Sequence, residues 1–109
     1  MKCKNTLKKG SVRYIVFREE ETWYAVGLEF NIVESGDTPR EALILLLEAL
    51  QGYVESARKI KARPYILNQE SDLEYEKMWQ SSRKSKMTRP NNIFTTGSFN
   101  IANKALVAA

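Results

Sequence analysis

This chain of 109 residues, 43% hydrophobic and 28% charged with a net charge of +4, has the length and composition of one globular domain. It has no histidine, a single cysteine (Cys3) and no glycine-rich phosphate loop, which removes the commonest general base, the Cys/His zinc sites and the nucleotide-binding loops. We therefore expect a protein that is not an enzyme and that holds no cofactor or metal ion.

The N-terminal third predicts a β-hairpin followed by a short strand. Residues 12–18, VRYIVFR, are rich in β-branched and aromatic side chains, and residues 23–30, WYAVGLEF, form the hairpin partner across a charged turn. In the second strand, the side chains expected to face the core are Tyr24, Val26, Leu28 and Phe30. The side chains that alternate with these four should face away from the core. A third strand over about residues 32–35 leads into the next turn.

A helix start follows at residues 36–41, GDTPRE. Gly36 suits a backbone position with a positive φ angle, and Asp37 completes the turn. Thr38 fits the N-cap, Pro39 fits the first helical position, and Glu41 stands three residues after the cap. This capping box predicts a long helix from Pro39 to about residue 60.

The predicted long helix is apolar over a broad arc, which we expect to pack on the sheet. A stripe of mostly small side chains runs beside that arc and consists of Leu45, Ala49, Gly52 and Ser56. Small side chains let another element approach closely. The stripe is therefore either a second contact within the chain or an interface with another subunit or partner.

The C-terminal half is less regular. Residues 65–68, YILN, predict a brief strand, and residues 72–80 predict a short second helix behind another capping box. Residues 81–92 are polar and basic and predict a flexible linker. Residues 93–109 predict an apolar arm, in which residues 93–101 form either two short extended pieces about a TTG turn or one extended stretch, and which docks either on its own core or on a neighbouring chain. We accordingly treat residues 1–80 as the main domain.

Together these elements predict an α+β fold. We expect a small, mainly antiparallel sheet of three to four strands covered by one long helix, with the short second helix and the C-terminal arm added. No apolar run is long enough to cross a bilayer or to form a signal peptide, so we expect a cytoplasmic protein without a membrane partner.

Residues 14–55 resemble the HicB-like antitoxins of bacterial and archaeal toxin–antitoxin modules. The resemblance rests on the strand hairpin, the short strand and a turn into a long helix, matched here by Gly36, Asp37, Thr38, Glu41, Ala42 and Leu43. It implies a partial ribonuclease-H-like fold that binds a HicA-type toxin, a small basic ribonuclease that cuts messenger RNA, and covers its catalytic surface. The chain departs from many members in having no proline-containing segment between its second and third strands.

The charge is segregated along the chain. Residues 1–18 carry a net charge of +6, residues 19–55 carry −8, and residues 56–109 carry +6. The acidic middle suits a basic partner, because complementary potentials speed encounter and select against wrong partners. We expect the partner-binding residues to include an aromatic anchor and the acids around it, namely Glu19, Glu20, Glu21, Trp23, Glu29 and Glu34.

Two other functions stay open. The basic residues near the two ends are suited to nucleic-acid phosphates, although no recognition helix or stacking platform accompanies them: Lys2, Lys4, Lys8, Lys9, Arg83, Lys84, Lys86 and Arg89. We therefore treat nucleic acid as a possible rather than a primary partner. The second alternative is a solitary structural module that forms a homodimer or a higher homo-oligomer, through the small-residue stripe, a sheet edge or the apolar arm.

Overall fold

The computed structural model describes residues 5–82 and 92–108, which form one antiparallel sheet between two helices. The strands are β1 (Ser11–Glu19), β2 (Thr22–Gly27), β3 (Ile32–Gly36), β4 (Ile93–Asn100) and β5 (Ala105–Ala108). The helices are α1 (Pro39–Lys59) and α2 (Leu73–Ser82), with a short 3-10 helix at Pro64–Leu67 between them. The predicted α+β class, the antiparallel sheet and the single long helix are confirmed.

The sheet has the strand order β3-β2-β1-β4-β5, and every neighbouring pair is antiparallel. β1 pairs with β2 on one side and with β4 on the other, so the last strands of the chain join the first. The sheet therefore has five strands where the sequence predicted three to four. The extra strands are β4 and β5, which come from the stretch predicted as an arm and dock on the chain's own sheet.

The start of α1 follows the predicted capping chemistry. The Thr38 hydroxyl accepts the Glu41 N–H at 3.0 Å, and the Glu41 carboxylate accepts the Asp37 N–H at 3.2 Å. The prediction of a positive φ angle at Gly36 is wrong. Glycine is required there for space instead, because a Cβ atom would lie 2.9 Å from the backbone nitrogen of Ala42.

The sheet is covered on both faces. On the face that we call the α1 face, side chains of β1 and β2 pack against α1 in a core that includes Val12, Val16, Ala25, Leu46 and Leu50. On the opposite side, the α2 face, a second core contacts half-buried side chains of α2 and consists of Ile15, Phe17, Val26, Leu28 and Ile93. The two cores alternate along each strand because successive side chains point to opposite faces.

This arrangement corrects the predicted orientation of β2. Val26 and Leu28 are buried as expected, but they lie under α2 rather than under the long helix. Ala25, which we expected to face away from the core, is fully buried beneath α1. Phe30 lies beyond the end of β2 and packs into the α1-face core.

The connection between the two helices also differs from its prediction. Residues 65–68 do not form a strand, because Pro64 opens the 3-10 helix and Leu67 is fully buried at its end. Residues 81 and 82 of the predicted linker belong to α2, and residues 83–91 lie outside the described residues. Neither α1 nor any other helix in the described part of the chain has the length and apolarity needed to cross a bilayer.

Candidate functional site

The turn of the β1–β2 hairpin carries three exposed carboxylates. Glu19 pairs with Thr22 at the last position of the ladder, so Glu20 and Glu21 form the two-residue turn. Glu20 has a φ angle of 58°, the left-handed conformation that such tight hairpin turns require. All three glutamates are exposed, and the turn holds them together at one end of the sheet.

The first turn of α1 lies at the same end. Gly36 pairs with Trp23 across β3 and β2, and the exposed acids Asp37 and Glu41 follow it directly. We call this surface the acidic end and define it by Glu19, Glu20, Glu21, Asp37 and Glu41. Among the described residues of these segments the nearby cations are Arg18 and Arg40, which leaves a net charge of −3.

An aromatic pair lies beside the acidic end. The rings of Trp23 and Phe94 meet edge to face, with centroids 5.8 Å apart, and the Arg18 guanidinium lies 5.7 Å from the Trp23 ring centroid. Trp23 is half-buried, whereas Phe94 keeps 56% of its surface exposed. The acidic end therefore borders the exposed ring of Phe94, which packs against the half-buried ring of Trp23.

A β-bulge produces this pairing. Val16 pairs with Thr95 and Phe17 pairs with Ile93, so Phe94 is the extra residue in β4. Bulges redirect a side chain that regular alternation would place elsewhere. Thr95 lies on the α1 face because it pairs with Val16 of the α1-face core, and the bulge places its neighbour Phe94 on that same face, where Phe94 reaches Trp23.

The exposed side of α1 extends the apolar surface. Ile44 and Leu45 are 50% and 36% exposed, and they line a shallow cavity of about 320 Å³ together with Thr38, Arg40 and Glu41. This cavity begins at the helix cap that forms part of the acidic end. The exposed apolar side chains Ile44 and Leu45 thus lie close to the cap carboxylate Glu41.

The predicted partner-binding residues divide into groups. Glu19, Glu20, Glu21 and Trp23 come together as expected. Glu29 lies beyond the opposite end of β2, where its carboxylate accepts the Arg13 backbone N–H at 2.8 Å and the Arg13 Nε–H at 2.6 Å. Glu34 is half-buried in the middle of the edge strand β3. Neither of these two carboxylates belongs to the acidic end.

Sequence reasoning did not assign Phe94 to the surface, and it treated Asp37 and Glu41 only as turn and cap residues. The sequence did contain information on the position of Asp37 and Glu41, because the first turn of a helix that follows a hairpin lies close to one end of that sheet. Phe94 had none, because its contact with Trp23 depends on a bulge between strands that are distant in the chain.

A second charged cluster fastens α2 to the sheet. Arg13 on β1 donates from its two terminal nitrogens to the Glu76 carboxylate at 2.9 and 2.7 Å, and its guanidinium lies 5.6 Å from the Trp79 ring centroid. The hydrogen bond with Arg13 lowers the pKa of Glu76 and outweighs the effect of burial, with a further contribution from the Ser71 hydroxyl. Burial opposes the charge of Arg13, but its hydrogen bonds to Glu76 and Glu29 raise its pKa overall.

A polar cavity of about 450 Å³ lies beside this cluster. Its lining includes Asn5, Arg13, Glu29 and Asn68, and the polar groups of these residues already hydrogen-bond within the chain. Asn5, for example, donates to the Leu67 carbonyl and accepts from the Ser11 N–H. The cavity wall is therefore internally satisfied, and the charged cluster serves the fold.

The small-residue stripe on α1 lies on the outer surface. Gly52 and Ser56 are exposed and Ala49 is half-buried. Apart from the adjoining residues and the backbone of α1 itself, no atom of the described residues lies within 4 Å of a Cβ placed on Gly52. The alternative of a close intramolecular contact at Gly52 is therefore not realised in the described structure. An interface with another molecule at Leu45, Ala49, Gly52 and Ser56 stays a prediction.

Of the eight basic residues predicted near the two ends, two lie in the described part of the chain, so nucleic acid as a partner stays a prediction. Lys8 and Lys9 are exposed, whereas Lys2, Lys4 and the four cations of residues 83–91 lie outside the described residues. Within residues 5–82 and 92–108, no three Cys, Asp or Glu side chains are grouped so as to hold a metal ion.

Comparison of this chain with known protein families, with curated proteins and with solved structures found no match.

Proposed function

We propose that this chain is a HicB-like antitoxin, a protein-binding module that acts in the cytoplasm and neutralises a HicA-type messenger-RNA ribonuclease by masking its active surface. The observation that carries the proposal is an exposed aromatic side chain bordered by carboxylates at one end of the molecule. The resemblance of residues 14–55 supplies the class of partner, and the partial ribonuclease-H-like fold that it implies is part of the same proposal.

The aromatic pair supplies the apolar anchor of the binding surface. Large aromatic side chains dominate the energetics of protein interfaces, and Phe94 is 56% exposed. Its ring is already held in place by the edge-to-face contact with Trp23, and the residues on both sides of it, Ile93 and Thr95, pair with β1. Little side-chain entropy is lost when a partner covers such a preordered group, so more of the burial energy appears as affinity.

The carboxylates supply orientation and selectivity. The net charge of −3 at the acidic end attracts a basic ribonuclease, and exposed charges of this kind act mainly on the association rate and on the choice of partner. The same carboxylates account for the masking of the ribonuclease. Its active surface binds messenger RNA and must therefore be basic, so the acidic end is attracted to that surface. The antitoxin competes with the RNA by offering carboxylates in place of phosphates.

The test is a titration of the purified chain with a purified HicA-type ribonuclease, read by interferometry and by cleavage of a messenger-RNA substrate. The wild-type chain should bind and inhibit. Phe94→Ala should weaken binding by about tenfold or more, because it removes the anchor. Tyr65→Ala is the matched control, since Tyr65 is 66% exposed on the 3-10 helix and lies outside the proposed surface.

The charge contribution is tested by the double variant Glu20→Lys/Glu21→Lys. It should slow association and reduce the salt dependence of binding. The control Glu48→Lys/Glu70→Lys changes the net charge equally at two exposed glutamates that lie outside the acidic end. Absence of a complex at micromolar concentration, or equal effects of the two double variants, would contradict the proposal.

A further inference from the structure

The β4–β5 half of the sheet is almost free of charge in a chain that is 28% charged. Lys104 is the single charged residue between positions 92 and 108, and its ammonium group is paired with Glu55 of α1. β5 forms the edge of the sheet and contains only apolar residues, Ala-Leu-Val-Ala, with Val107 54% exposed. This half of the molecule is thus chemically opposite to the acidic end.

We propose that two copies of this chain pair through β5, antiparallel to each other, and join their five-stranded sheets into one continuous sheet of ten strands. An edge strand presents unpaired backbone N–H and C=O groups, and proteins protect such edges with Lys, Pro, inward-pointing charges or bulges. β5 is short, with four residues, but it contains no Lys, Pro, inward-pointing charge or bulge. Among the described residues, β5 pairs with β4 alone and no strand occupies its outer side.

The symmetry of such a pair explains why the surface has to be uncharged. Two antiparallel copies of one strand are related by a twofold axis perpendicular to the sheet, so each group near the axis faces its own copy. Because side chains alternate with a period of two, Leu106 or Val107 must lie opposite itself for both faces to match. Any charge at these positions would face an identical charge, which is destabilising.

The opposite edge does not meet this requirement. Glu34 stands at the centre of β3, which runs from Ile32 to Gly36. Self-pairing of β3 about its centre would bring the two Glu34 carboxylates together on one face of the sheet. The distribution of charge therefore selects β5 over β3 as the edge that a second copy occupies.

The pairing has a consequence for the arrangement of the whole dimer. A twofold axis perpendicular to the sheet places both α1 helices on the same side, and it makes the two acidic ends point in opposite directions. Each acidic end stays accessible in the dimer, so dimerisation does not depend on the proposed antitoxin function and does not block it.

Light scattering on the full chain over a range of micromolar concentrations tests this inference. The wild-type protein should show twice the 12.5 kDa mass of one chain. Val107→Lys and Val107→Glu should each raise the dissociation constant by about tenfold or more, because like charges then meet near the axis. An equimolar mixture of the two variants should recover the dimer, since the facing charges are then opposite.

Val33→Lys is the matched control, because Val33 is also an edge-strand valine and is 43% exposed on β3. It should leave the dimer intact, and circular dichroism should show the same fold in all four proteins. The inference is overturned by a single-chain mass for the wild type throughout the micromolar range. It is equally overturned if Val33→Lys dissociates the dimer and Val107→Lys does not.

Discussion

The two faces of the sheet are covered in different ways. α1 has 21 residues and buries five side chains almost completely, namely Ala42, Leu46, Leu50, Val54 and Ala57. α2 has 10 residues and none of its described side chains is buried. It contacts the sheet through half-buried Tyr75, Met78 and Trp79 and through the ion pair of Glu76 with Arg13. One face is therefore held mainly by apolar burial, and the other depends in part on charge.

This difference shows how a small chain covers a sheet that is apolar on both faces. α2 is short and its first residue, Leu73, is 69% exposed, so the second helix buries little surface by itself. Arg13 compensates by projecting from β1 and binding carboxylates from two other segments, Glu29 and Glu76. The α2 face should consequently be the less stable of the two and the more sensitive to pH.

The largest expected effect is on the α1 face. Leu50→Ala should lower the free energy of unfolding by about 3 kcal/mol, because Leu50 is completely buried and the surrounding core cannot close the cavity fully. Urea unfolding measures this change. Leu73→Ala on α2 is the control, since Leu73 is 69% exposed, and it should change stability by less than about 0.5 kcal/mol. Equal losses of unfolding free energy in Leu50→Ala and Leu73→Ala would contradict the claim that the α1 face is held mainly by apolar burial and the α2 face is not.

A smaller effect is expected on the α2 face. Glu76→Gln should lower stability at pH 7 by about 1 kcal/mol, because it removes one partner of Arg13 from a site that is partly open to solvent. The pKa of Glu76 is lowered in the fold from its ordinary value of 4.5. Its contribution is therefore present above about pH 4.5 and is lost as the pH falls through the lowered folded pKa.

Unfolding curves at pH 7 and at successively lower pH test this assignment. The stability difference between the wild type and Glu76→Gln should shrink towards zero as the medium becomes acidic. Glu74→Gln is the control, because Glu74 is exposed two positions earlier in the same helix. A difference that stays constant down to low pH would show that Glu76 does not act through its charge.

The smallest expected effect is stabilising and concerns the outer surface of α1. Gly52→Ala should raise stability by about 0.5 to 1 kcal/mol, because glycine is a poor helix former and a Cβ at this position meets no described atom within 4 Å. Thermal unfolding of the dilute protein measures the change. A loss of stability would indicate that a close contact covers the Leu45, Ala49, Gly52 and Ser56 stripe.

Local chemistry was the part of the fold that the sequence predicted well. The N-cap of α1 and the β1–β2 hairpin depend on residues a few positions apart, and both form where the pattern indicated. The second face of the sheet was missed because alternation in β2 does not reveal whether one side or both sides are covered. Residues 93–109 were predicted to be extended, but the place of β4 beside β1 in the sheet was not, because that pairing depends on partners far away in the chain.

The residues of the candidate site also divide into those that nearby residues predict and those that depend on distant parts of the chain. Glu19, Glu20, Glu21 and Trp23 were predicted together because a tight turn joins them. Glu29 was grouped with them by charge alone, whereas the structure pairs it with Arg13 at the other end of β2. Phe94 required knowledge of the bulge in β4. Sequence reasoning thus located the hairpin part of the surface and missed the apolar group that completes it.

The central claim is that the acidic end and the Trp23–Phe94 pair form the partner-binding surface. The most direct measurement is the change in backbone amide resonances of the isotope-labelled chain as a HicA-type ribonuclease is added. We expect the largest changes in residues 19–23, in residues 93–95 and in the first turn of α1, with α2 little affected. Changes confined to α2, or none at all at saturating partner, would contradict it.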